Sequence, residues 1–125
     1  MVMRRLGLRA EAFGHAFRGL REMLRSEPHA RFHLCATIVV VIAAAVSRVD
    51  RYEALALVLT MALVWSLEAV NTAVEAICDL VSPEHDDRVR VAKDVAAGAV
   101  LVAALASLVV AGLVFGPRVR ELFAP

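Results

Sequence analysis

The sequence predicts an all-α membrane protein: an N-terminal amphipathic surface helix and three transmembrane helices, forming one domain over residues 1–125. Three observations carry that expectation. The chain is 60% hydrophobic, with a mean hydropathy of +0.68, which is more apolar than usual for a water-soluble domain. Its apolar residues gather into three runs, each near the ~20 residues a helix needs to cross a ~30 Å hydrocarbon core. No strand-like alternation is visible, and only helices or closed barrels satisfy their backbone groups in lipid.

Residues 4–29 read as the surface helix. Phe13, Phe17, Leu20 and Leu24 recur at helical spacing, while Arg9, Glu11, Arg18, Arg21 and Glu22 mostly fall elsewhere. An apolar stripe opposed by arginines suits a helix lying on a membrane surface. The first span, 32–49, is short. The second, 54–81, is interrupted in its later half by charged and polar side chains. The third, 95–115, is uninterrupted, and Ala92, Ala96, Ala99 and Ala103 lie near one face, which permits close helix contact.

Basic residues orient the spans. Arg4, Arg5, Arg9, Arg18, Arg21, Arg25 and Arg31 precede the first, and Arg88, Arg90 and Lys93 lie between the second and third. The other two flanks carry only Arg48 with Arg51, and Arg118 with Arg120. The N-terminus and the 82–94 loop are therefore expected in the cytoplasm and the C-terminus outside. The formal net charge of +1 gives no basic field for a nucleic-acid partner. A cleavable signal peptide is not expected, because the first apolar run follows a long, arginine-rich stretch. Cys35 and Cys78 read as buried small hydrophobes rather than a disulfide. His15, His29, His33 and His85 form no four-ligand cluster on one predicted helix face, so no zinc site is expected.

The second span carries the chemistry-bearing residues. In WSLEAVNTAVEAICDLV, Glu68, Asn71, Glu75 and Asp79 share one stripe, since about 100° per residue puts Asn71 ~60° and the other two ~20° from Glu68. Carboxylates in a membrane-grade helix are costly unless they line a site or pair with a cation. Counting about 1.5 Å per residue from Ala54 sets Glu68 roughly 9 Å inside the inner edge of a ~30 Å core. Glu75 then lies at headgroup level and Asp79 at the cytoplasmic mouth. At its depth Glu68 could accept a proton from a lipid alcohol. Glu75 could bind a hard cation, which typically takes one or two carboxylates plus phosphate and water. Glu27, in SEPHARFH, reads either as a second ligand or as a solvated charge. Lys93, beside Asp94, reads either as a phosphate contact or as a snorkelling flank. The chain has neither GxxxxGK[ST] nor GxGxxG, so a nucleotide site would differ from those of soluble kinases.

These residues resemble the small three-span bacterial lipid kinases, the prokaryotic diacylglycerol kinase and undecaprenol kinase family. The resemblance rests on Glu68-Ala-Val-Asn71-Thr72-Ala73-Val74-Glu75, on Asp79, and on Ala92-Lys93-Asp94-Val95-Ala96-Ala97-Gly98-Ala99-Val100. Glu27 and Gly19-Leu20 add to it, and it covers about residues 13–115. It implies transfer of the γ-phosphate of ATP to a lipid hydroxyl by a homotrimer in the bacterial inner membrane. It also implies Glu68 as catalytic base and Glu27 and Glu75 as ligands to Mg²⁺. The nucleotide would meet Glu27, Asn71, Glu75, Glu84, His85, Asp86, Lys93 and Asp94, and the lipid Arg21, Arg31, Glu68 and Ala97. The chain departs from the family where an aromatic residue and His are usual and His85-Asp86 stands. The pattern ExxxRxH, met in Glu27 to His33, leans toward undecaprenol as substrate, with diacylglycerol as the alternative. A small oligomeric ion channel lined by the stripe is the rival from another class.

Overall fold

The computed structural model describes the backbone of residues 2–82 and 86–124 and the side chains from residue 11 onward within them. These residues form four helices: α1 (Val2–Ser26), α2 (Pro28–Val46), α3 (Arg51–Val81) and α4 (Asp87–Leu122). The last three are long and apolar enough to cross a membrane. At about 1.5 Å per residue, α3 and α4 exceed the ~30 Å of a hydrocarbon core, so their ends extend beyond it.

Each junction has a local cause. A helix running unbroken to residue 29 is expected from the apolar pattern, but the structure breaks at Glu27. Proline disfavours helical backbone in the residue before it and is suited to the first helical position; Glu27 is extended (φ −100°, ψ 116°) and Pro28 opens α2. Arg31 joins the two helices: its Nε donates to the Leu24 carbonyl at 3.0 Å and its guanidinium also donates to the Arg25 carbonyl. It thereby satisfies carbonyls that a helix end leaves without partners.

The α2–α3 turn is a Schellman arrangement. The Val49 N–H donates to the Ala44 carbonyl at 3.3 Å and the Arg48 N–H to Ala45 at 3.4 Å. Arg48 takes the left-handed conformation, φ 50°, usually left to glycine. Asp50 then caps α3 in a full capping box. Its carboxylate accepts from the N–H groups of Tyr52 (2.7 Å) and Glu53 (3.0 Å), and Glu53 accepts from the Asp50 N–H at 2.9 Å. Asp86 caps α4, accepting from the Arg88 N–H at 2.8 Å.

The helices α3 and α4 pack along one another as an antiparallel hairpin. Ion pairs join them at both ends: Glu53 with Arg118 at 2.7 Å, and Asp79 with Lys93 at 2.5 Å. Between these lie the buried Leu57, Val64, Val100, Ala103 and Val114. Helix α2 lies against α3, where the Trp65 Nε1–H donates to the Thr37 hydroxyl at 3.0 Å. Most large apolar side chains of α2–α4 remain uncovered within one chain, including Val39, Leu63, Leu101 and Leu108. Within one chain Cys35 is likewise exposed rather than buried, Cys78 is half-buried, and both thiols are free.

The Glu53 pair is bidentate, since the Arg118 guanidinium reaches both carboxylate oxygens at 2.9 and 2.7 Å. Arg118→Gln is expected to lower the thermal midpoint in detergent by a few degrees. Adding Glu53→Gln should cost little more, because paired groups are not additive. Fully additive losses would show that the two residues act separately.

Candidate active site

Of the stripe predicted on the second span, Glu68, Asn71 and Glu75 face inward and Asp79 is exposed. Leu57, Val64 and Glu68 are the buried residues of α3, spaced at helical intervals on one face. Glu68 thus occupies a position that the pattern would fill with an apolar residue. It is 3% exposed. Among the described residues its carboxylate has no hydrogen-bond donor; the Thr72 hydroxyl reaches only its backbone carbonyl, at 3.0 Å.

One turn further along, the Asn71 amide donates to Glu75 Oε1 at 2.9 Å. This fixes both side chains and turns the Asn71 carbonyl oxygen into the protein, where it is buried with no partner. Such orphaned acceptors are rare, because a buried polar group without a partner costs free energy. The two carboxylates on this face are hard oxygen donors.

These three residues line a cleft of about 350 Å³ between α2, α3 and α4. Helix α4 supplies Ala97, Val100, Leu101 and Ala104, and α2 supplies His29, Phe32 and His33. The small Ala97 and Ala104 leave the space that larger side chains would fill. His33 also borders a second, smaller cavity of about 60 Å³, lined partly by Thr37, Thr60 and Ser107.

Of the residues expected from sequence, the cleft brings together Glu68, Asn71, Glu75 and Ala97. The other described ones do not line it in a single chain. Glu27 is half-buried at the α1–α2 break, and its side chain makes no capping bond. Lys93 pairs with Asp79, and Asp94 with Arg90 at 3.0 Å. Asp86 is occupied in capping α4 and pairing with Arg88 at 3.1 Å. Arg31 holds the end of α1, and Arg21 is exposed. Glu84 and His85 lie outside the described residues. Among the described residues no three His, Cys, Asp or Glu side chains converge closely enough to hold a metal ion by themselves.

Sequence reasoning missed His29, Phe32 and His33 as lining residues. Their spacing carried the signal, since i, i+3 and i+4 on a helix opened by Pro28 share a face.

Residues 14–115 match the family described as prokaryotic diacylglycerol kinase. The chain is 36% identical over 108 residues to the undecaprenol kinase of Bacillus subtilis strain 168, covering 86% of this chain and 88% of that protein. It is 34% identical over 112 residues to a diacylglycerol kinase of Synechocystis, covering 89% of this chain and 64% of that longer protein. It is 29% identical over 99 residues to the diacylglycerol kinase of Escherichia coli K12, covering 79% and 81%. Fold, site and similarity together define an integral-membrane lipid kinase. The chain belongs to the prokaryotic diacylglycerol kinase family.

Proposed function

We propose that this chain transfers the γ-phosphate of ATP to the hydroxyl of undecaprenol, giving undecaprenyl phosphate and ADP. The observation that carries the site reading is Glu68, a buried residue whose carboxylate has no hydrogen-bond donor among the described residues, in one cleft with Asn71 and Glu75. A lipid alcohol entering among the apolar residues of α2 and α4 would bring its hydroxyl to Glu68. Glu68 accepts the hydroxyl proton as the lipid oxygen bonds to the γ-phosphorus and the bond to the bridging oxygen of ADP breaks. The remaining work is positioning and charge neutralisation. Lys93 supplies a point charge to the phosphates, and Asn71 holds the orientation of Glu75. The expected nucleotide contacts of Asp86 and Asp94 belong to the same reading, as do lipid contacts of Arg21, Arg31 and Ala97.

The donor set fits Mg²⁺, which prefers oxygen ligands and usually keeps phosphates and water among them. Glu75 and Glu27 would hold the ion, which neutralises phosphate charge when bound. Because Glu27 and Asp94 stand outside the cleft of one chain, we infer that the working site is shared between copies, as a homotrimer would allow. The uncovered apolar faces of α2–α4 support that assembly. We place the N-terminus and the 82–94 loop on the cytoplasmic side of the bacterial inner membrane, where the nucleotide is. On α1, Phe13 and Phe17 stay exposed, which suits contact with the membrane surface.

Undecaprenol is favoured by the similarity to an undecaprenol kinase over most of both chains. Diacylglycerol is the second reading, supported by the relatives of that name. Both alcohols offered together in mixed micelles with ATP decide between them. Undecaprenol is expected to be phosphorylated with the higher kcat/KM, and a preference for diacylglycerol would overturn the substrate assignment.

A further inference from the structure

The Asp79–Lys93 pair crosses from the end of α3 to the beginning of α4, spanning the connection between them. Lys93 Nζ lies 2.5 Å from Asp79 Oδ1. Asp79 sits one turn beyond Glu75, which lines the cleft, and the Glu75 carboxylate also acts electrostatically on the Lys93 ammonium. The side chains are 35% exposed at Lys93 and 70% at Asp79, so the lysine side chain is the more sheltered of the two. Exposed ion pairs contribute little to stability, which leaves the contact poorly explained as a fold-stabilising device. Asp94, adjacent in sequence to Lys93, does not share the task, because it pairs with Arg90.

We propose that Asp79 is a positioning residue, holding the Lys93 ammonium beside the cleft in the orientation from which it meets the nucleotide phosphates. This rests on the reading of Lys93 as a phosphate contact. A lysine ammonium is a point charge on a flexible four-carbon stem with three donors. One donor spent on Asp79 restricts the stem, and two N–H groups stay available for phosphate oxygens. Soluble protein kinases meet the same physical need by pairing their phosphate-binding lysine with a glutamate. Here the carboxylate comes from the far end of the acidic stripe, and the helical hairpin replaces the sheet-and-helix scaffold.

The test is equilibrium binding of the non-hydrolysable analogue adenylyl imidodiphosphate, with Mg²⁺, to the full-length protein in detergent micelles. Asp79→Asn is expected to weaken binding about tenfold and Lys93→Gln somewhat more, with the double variant no weaker than Lys93→Gln, since residues acting through one contact are non-additive. In turnover, Asp79→Asn should raise the KM for ATP, leave the KM for the lipid alcohol unchanged, and leave the thermal midpoint near that of the parent. Asp79→Glu should restore much of the affinity. Unchanged or tighter binding by Asp79→Asn, alongside weaker binding by Lys93→Gln, would overturn the positioning role alone. Multiplying effects in the double variant would do the same, as would an equal rise in both KM values with a lowered midpoint. Unchanged binding by Lys93→Gln would instead remove the phosphate reading of Lys93, and the positioning role with it.

Discussion

Glu68→Gln is expected to reduce turnover by about 10²–10⁴-fold, the range over which a positioned base accelerates proton transfer. Glutamine keeps the shape and the hydrogen-bonding reach but cannot take up the proton. Nucleotide binding should survive, because Glu68 lies beside the lipid hydroxyl in this reading rather than at the phosphates. A second expectation separates catalysis from structure. Glu68 as a residue is 3% exposed, and its carboxylate has no donor among the described residues. Burying a charge without a partner is unfavourable, so neutral glutamine should leave the protein as stable as the parent or more so. A dead enzyme with an unchanged or raised thermal midpoint is the signature of a residue kept for chemistry at a cost in stability. Near-normal turnover would remove the base role, and a collapsed midpoint would show that Glu68 is held by contacts that a glutamine cannot make.

The same residue shows what the sequence could and could not reveal. The apolar periods of the three spans set the helices, since in lipid few other solutions satisfy the backbone. One face for Glu68, Asn71 and Glu75 followed from 3.6 residues per turn alone, and the cleft brings them together. Helix ends were less legible. The break at Glu27 depends on Pro28 acting on the residue before it, and the end of α2 depends on Arg48 accepting a left-handed backbone without glycine. Contacts across helices were not legible at all from periodicity. Glu53 and Arg118 stand sixty-five positions apart, and Asp79 meets Lys93 only because α3 and α4 pack antiparallel. His29, Phe32 and His33 went unread for a related reason: a helix face becomes a cleft wall only when a neighbour leaves space opposite it, and that space comes from alanines on α4.

Glu75→Gln is the second large effect expected, and it should appear as a changed dependence on Mg²⁺ rather than as a simple loss. In the parent, the Asn71 amide donates to Glu75 Oε1 at 2.9 Å. A glutamine can keep that bond through its carbonyl oxygen, so the orientation of Asn71 should persist while the negative charge disappears. Hard cations are held by charge as well as geometry, and an amide oxygen is a weaker ligand than a carboxylate. The Mg²⁺ titration of activity is therefore expected to shift to about tenfold or higher concentrations, with partial recovery at saturating metal, given that each tenfold change corresponds to only ~1.4 kcal/mol of lost interaction. Mn²⁺ binding followed by electron paramagnetic resonance in the presence of nucleotide gives a readout independent of turnover, and it should weaken in parallel. An unchanged titration would remove Glu75 from the metal site. Asn71→Ala separates the two jobs of this pair: it keeps the charge at Glu75 and removes the bond that orients it. If orientation matters less than charge, Asn71→Ala should shift the Mg²⁺ titration less than Glu75→Gln. The reverse order would mean that the buried amide, with its otherwise unpartnered carbonyl oxygen, is the stronger determinant of how the cation is held.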